Sequence, residues 1–136
     1  MVSIISIKSK KLSGEIFVPG DKSISHRALI LGACAIGKTI IENLLESEDV
    51  LATLKALREL GVNIKKNKNL WEIRGNGLGS LTNPNKTLNL GNSGTGARLL
   101  MGLVSGCPIT VSFIGDESLN TRPMKRILIP LKQSGA

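Results

Sequence analysis

Gly20, Arg27 and Leu29 recur seventy-one residues further on as Gly91, Arg98 and Leu100. The chain around each set follows one order: a strand, a Gly-containing turn, a helix carrying an arginine, a strand, a second helix and a glycine. A fixed offset of this kind is the mark of a repeated supersecondary unit and constrains the fold more than any single motif does. In the first copy, residues 15–18 predict a short strand closed by Pro19-Gly20. Residues 25–36, rich in Ala and Leu, predict a helix stopped by Gly37. The β-branched run at 39–43 predicts a strand. Ser47 is placed to cap the next helix, with Glu48 and Asp49 in the first turn where the helix dipole favours anions. Val50, Leu54, Leu57 and Leu60 then recur at helical spacing up to Gly61. Residues 62–65 and 70–74 flank Asn67-Lys68-Asn69 as a hairpin.

After a loop broken by Gly75, Gly77, Gly79 and Pro84 the pattern restarts. Residues 87–90 and 109–114 predict strands, and 94–105 and 124–133 predict helices. The expected fold is therefore α+β, built of repeated βαβαββ units at about 14–75 and 86–136. One unit is complete and the second lacks its closing hairpin. On this reading the chain is part of something longer, since an unpaired strand at a sheet edge invites association.

Composition narrows the partners. No apolar run is long enough to span a bilayer, and the opening segment places Lys8, Lys10 and Lys11 after its short apolar stretch, the reverse of a secretory signal. The expectation is a cytoplasmic protein. Cys34 and Cys107 are far apart and read as small core residues; with His26 as the sole histidine, no metal site is expected. The net charge of +8 calls for anionic partners or a solvated lysine-rich surface. Phe17, Trp71 and Phe113 are too few aromatics for a nucleic-acid stacking platform, so small multiply charged ligands are favoured.

Residues 32–39 spell the phosphate-binding G-x-x-x-x-G-K-T. That loop must leave a strand and open a helix, so that free backbone N–H groups meet the phosphate. Here a predicted helix comes first and a strand second. Gly37 reads instead as a helix C-cap and Lys38 as a surface residue.

Two other turns have the required setting. In Pro19-Gly20-Asp21-Lys22-Ser23-Ile24-Ser25-His26-Arg27, free N–H groups ahead of a helix are joined by an ammonium, a hydroxyl and a guanidinium. In Leu90-Gly91-Asn92-Ser93-Gly94-Thr95-Gly96-Ala97-Arg98, three glycines let the backbone approach a ligand closely. A third feature is Thr121-Arg122-Pro123-Met124, where Pro123 is suited to be the first helical residue and Arg122 to reinforce an anion site at the helix mouth.

These three motifs, in this order and at nearly these separations, resemble those of the 5-enolpyruvylshikimate-3-phosphate synthases. The resemblance covers essentially the whole chain. It implies a two-domain fold, each domain built of three βαβαββ units, with the active site in the cleft between domains; this chain would be part of the N-terminal domain. It implies transfer of the enolpyruvyl group from phosphoenolpyruvate to the 5-hydroxyl of shikimate 3-phosphate, with release of phosphate and without a metal or organic cofactor. Carried over by position, Lys22 would touch both substrates, Ser23 and Arg27 would hold shikimate 3-phosphate, and Gly94 and Arg122 phosphoenolpyruvate. Asp49, Asn92, Thr95 and Arg98 match positions near the cleft. The acid and base groups of the family would lie outside this sequence, so no catalytic residue is assigned and the 136-residue chain alone is expected to be inactive. His26 and the run 113–119 resemble the family's second class, yet that class often has alanine where this chain has Gly94. Alanine there crowds glyphosate, a competitor of phosphoenolpyruvate, so a glyphosate-sensitive full-length enzyme is expected. The sister family, UDP-N-acetylglucosamine enolpyruvyl transferase, usually has Lys-Asn in place of Lys22-Ser23 and a reactive loop cysteine that Cys107 does not resemble. A non-catalytic anion- or nucleic-acid-binding domain is the remaining alternative.

Overall fold

The computed structural model describes residues 4–8 and 11–136. Its elements follow in the order α1 (Lys22–Cys34), β1 (Ile36–Glu42), α2 (Glu48–Glu59), β2 (Asn63–Asn67) and β3 (Leu70–Asn76). A 3-10 turn (Leu78–Ser80) then leads to β4 (Leu88–Asn89), α3 (Gly94–Val104), β5 (Phe113–Ile114), α4 (Glu117–Thr121) and α5 (Lys125–Gln133). The class is α+β, as the sequence predicts.

The first half folds around β3. It lies between β1 and β2 and runs antiparallel to both, so that Ile73 faces Thr39 on one side and Ile64 on the other. Trp71 and Ile73, two apart, fall on one face of the pleat and are buried with Ile41 and Ile64. Gly75 is next along that face. A β-carbon there would lie 2.3 Å from the Ala35 carbonyl oxygen and 2.4 Å from that of Gly32. Only glycine lets the end of α1 close down on the strand.

The second half is smaller. β4 and β5 form a parallel pair, Leu88 beside Phe113 and Asn89 beside Ile114, with α3 between them in sequence. One apolar core serves both halves. Leu29 of α1, Leu54 and Leu57 of α2, Ile73 of β3, Leu88 of β4 and Leu100 of α3 are all buried within it. The helices therefore form the seam between the halves, and their starting ends are fixed relative to one another.

Several expectations are corrected. Residues 15–18 form no strand; Ile16, Phe17 and Val18 are exposed, Phe17 by 94%. β-branched and aromatic residues fit a pleated surface, but a strand exists only where a neighbour accepts its hydrogen bonds. β5 spans two residues rather than six for the same reason, having β4 alone as partner. α1 ends at Cys34, and Gly37 lies inside β1, paired with Gly75, at φ +102°; it is a strand glycine, not a helix cap. Lys38 forms a 2.7 Å ion pair with Glu72, as a surface residue would. Ser47 precedes α2, but its hydroxyl makes no cap hydrogen bond. Both cysteines are half-buried rather than core residues. Among the described residues, no helix is long and apolar enough to cross a membrane.

Candidate anion-binding site

α1 begins where it does because Asp21 caps it: its carboxylate accepts from the Ile24 N–H at 2.8 Å. Lys22 and Ser23 thereby become the outermost residues of the helix. Lys22 Nζ reaches Asp49 Oδ2, in the first turn of α2, at 3.0 Å. The lysine is half exposed, so the pair orients the ammonium more than it stabilises the fold. Arg27 folds back along its helix, Nη1 donating to the Ser23 carbonyl at 3.1 Å.

The second turn is built on the same plan. Ser93 is fully buried and caps α3, accepting from the Gly96 N–H at 3.2 Å. Arg98 Nη1 donates to the Gly94 carbonyl at 3.5 Å. Seventy-one residues apart, each arginine thus turns back on the carbonyl four residues before it.

Thr53 joins the two turns. Its Oγ1 lies 2.9 Å from His26 Nδ1, and a β-carbon on Gly96 would stand 2.5 Å from that same oxygen. α1, α2 and α3 therefore meet at one buried hydroxyl within two turns of their starts, which brings the positive ends of three helix dipoles to one side of the molecule. Thr53 Oγ1 also lies 3.5 Å from the Asp49 carbonyl oxygen, so the same hydroxyl ties His26 of α1 to the first turn of α2. Burial holds the His26 pKa below the usual imidazole value; Asp49 opposes this shift, and Lys22 and Arg27 reinforce it.

Arg122 completes the site from α4. It is the C-terminal cap of that helix, and its Nη2 donates to Asn92 Oδ1 and, at 3.4 Å, to Ser118 Oγ. Asn92 Nδ2 in turn donates to Asp116 Oδ2 at 2.7 Å. Arg122 Nη1 lies above Gly94, where a β-carbon would be 2.6 Å from it and 3.3 Å from Arg98 Nη1. Two guanidinium groups approach one point over bare backbone. Among the described residues neither is in an ion pair. Like charges brought together with no carboxylate between them are relieved by an anion, and a planar fork suits phosphate or carboxylate.

The positions singled out in the sequence thus form two adjoining groups: Lys22, Ser23, Arg27 and Asp49 at the first turn, and Asn92, Gly94, Arg98 and Arg122 at the second. Thr95 stands exposed on the first turn of α3. Sequence reasoning missed Thr53, Asp116, Ser118 and the whole of α4. The available signal was Asp116 followed by Glu117, an N-cap residue with an acidic first turn. Pro123 is not the first helical residue. It lies between α4 and α5, and Arg122 before it is extended at ψ 137°, the conformation a following proline imposes.

Residues 7–136 match the family model described as EPSP synthase (3-phosphoshikimate 1-carboxyvinyltransferase). The 3-phosphoshikimate 1-carboxyvinyltransferase of Zymomonas mobilis is 56% identical over 134 residues, which are 98% of this chain and 30% of that protein. That of Parvibaculum lavamentivorans is 55% identical over 135 residues, with the same shares. The solved EPSP synthase of Acinetobacter baumannii superposes on 90% of this chain and 28% of its own, with a TM-score of 0.85 and 47% identity. The chain belongs to the EPSP synthase family, and it spans about 30% of the length of the curated relatives it matches.

Proposed function

We propose that this chain forms one wall of the substrate cleft of an enzyme that transfers the enolpyruvyl group of phosphoenolpyruvate to the 5-hydroxyl of shikimate 3-phosphate, releasing phosphate. It belongs to the N-terminal domain of a two-domain enolpyruvyl transferase, with repeat units at about 14–75 and 86–136. Lys22, Ser23 and Arg27 hold shikimate 3-phosphate; Gly94 and Arg122 hold phosphoenolpyruvate, and Lys22 touches both. Asp49, Asn92, Thr95 and Arg98 line the same cleft. The observation that carries this is the approach of Arg98 and Arg122 to one point over Gly94, with no ion pair to either among the described residues.

Both substrates bear phosphate and carboxylate, and holding two such anions side by side requires cations fixed before they arrive. The two guanidiniums, the Lys22 ammonium and the helix starts supply that. Proton transfer to C3 of phosphoenolpyruvate and from the 5-hydroxyl falls to the rest of the enzyme, which is the chain's macromolecular partner. Multiply charged substrates are retained by membranes, and this suits a cytoplasmic enzyme. Calorimetric titration with phosphoenolpyruvate is the test. Saturable binding that disappears in Arg122→Ala is expected; no saturable binding by the unsubstituted chain contradicts the proposal. Turnover by the 136-residue chain in a coupled phosphate-release assay would contradict the division of labour.

A further inference from the structure

Asp116 divides its two carboxylate oxygens between separate tasks. Oδ1 caps α4 by accepting from the Leu119 N–H at 2.7 Å, and Oδ2 accepts from Asn92 Nδ2 at 2.7 Å. Its own N–H donates to the Gly91 carbonyl at 2.9 Å, so the start of α4 is tied to the turn that carries Asn92 and Gly94. Asn92 offers its remaining end, Oδ1, to Arg122 Nη2. An asparagine amide has two ends of nearly equal size, and its direction is set by what each end meets. Here a carboxylate at the nitrogen end and a guanidinium at the oxygen end select the same direction. The order of charges along the chain of bonds is anion, neutral amide, cation.

That spacing has a chemical consequence. A carboxylate in place of Asn92 would pair with Arg122 directly and cancel its charge. A neutral amide fixes the guanidinium while leaving the charge for a ligand. We infer that Asp116, acting through Asn92, is a positioning residue that aims Arg122 at the anion over Gly94 while keeping the guanidinium out of a direct ion pair. The inference rests on the proposed function for the identity of that anion; the hydrogen-bond relay itself does not depend on it.

Asp116→Asn tests the relay. Asparagine caps helices about as well as aspartate, so α4 keeps its start. With the new oxygen occupied by the Leu119 N–H, the new NH2 group faces Asn92. The Asn92 amide then turns over, presents its own NH2 to Arg122, and the guanidinium loses its Asn92 acceptor, keeping only the longer 3.4 Å contact to Ser118 Oγ. Two readouts apply to the full chain: the Nε and Nη proton resonances of Arg122, and affinity for inorganic phosphate. In the unsubstituted chain the Nη signals are expected to show hindered rotation; in Asp116→Asn they average, and phosphate affinity falls about tenfold, the scale of one hydrogen bond to a charged group. Asn92→Ala, which leaves the cap untouched, is expected to average the signals as well. Unchanged Arg122 signals in both Asp116→Asn and Asn92→Ala would overturn the relay. If the unsubstituted chain ignores phosphate, the anion reading of the site fails, and the Arg122 signals alone decide the relay by the same criterion.

Discussion

Gly94 and Arg122 share one space: a β-carbon on Gly94 would stand 2.6 Å from Arg122 Nη1. The glycine is the floor of the site as well as part of a turn. The atom a methyl group would meet is the far end of a flexible side chain, so the helix can accept the methyl, whereas the guanidinium has to move. Gly94→Ala is therefore expected to leave the unfolding midpoint nearly unchanged and to weaken phosphoenolpyruvate binding by about tenfold, the value of one charge-assisted hydrogen bond. Calorimetry paired with thermal unfolding separates the two effects.

Gly75→Ala is expected to do the opposite, damaging the fold throughout. Its β-carbon would press on the carbonyl oxygens of Ala35, Gly32 and Ala33, at 2.3, 2.4 and 2.8 Å. All three are backbone, so nothing can rotate away. Overpacking of this kind costs about 1–3 kcal/mol and sometimes more. Urea unfolding should show the midpoint falling with little change in slope.

Thr53→Val keeps the shape of a fully buried side chain and removes the hydroxyl that His26 Nδ1 meets. Leaving a buried polar partner unsatisfied costs about 1–3 kcal/mol. Since Thr53 also touches the start of α3, backbone amide resonances at both turns, near residues 22–27 and 93–98, are expected to move together. Shifts confined to α1 would show that the hydroxyl does not couple the turns.

His26 gives the fold a pH dependence of definite sign. Burial lowers its pKa from 6.5, with Asp49 opposing and Lys22 and Arg27 adding to the effect. As pH falls, the unfolded chain takes up the proton before the folded one does. The contribution to stability is fully present above the unfolded value of 6.5 and is lost as pH falls through it toward the lower folded value. Urea unfolding from about pH 8 to about pH 5 should show stability dropping more steeply for the unsubstituted chain than for His26→Asn. Parallel curves would contradict this.

What was legible in the sequence, and what was not, divides by the range of the interactions. α2 and the β2–β3 hairpin were readable because Val50, Leu54 and Leu57 repeat at helical spacing and Asn67-Lys68-Asn69 supplies turn chemistry. Both turns ahead of α1 and α3 were readable as helix starts because glycines and capping residues cluster there. The strand expected at 15–18 did not form, because pairing depends on a neighbour that side-chain preference cannot supply. α4 was invisible for another reason: five residues give no periodicity, and its one local signal is the Asp116 cap. The relay from Asp116 to Asn92 to Arg122 and the Thr53 bridge join residues 24 or more apart in sequence. No pattern of local spacing encodes them.

The most direct test titrates the isotope-labelled chain separately with shikimate 3-phosphate and with phosphoenolpyruvate, following backbone amides and arginine side chains. Shikimate 3-phosphate is expected to shift residues 22–27. Phosphoenolpyruvate is expected to shift residues 91–98 and Arg122, and the Lys22 amide should respond to both. Failure of either ligand to shift its turn, or shifts from both ligands confined to one turn, would contradict a cleft wall built from two anion grips.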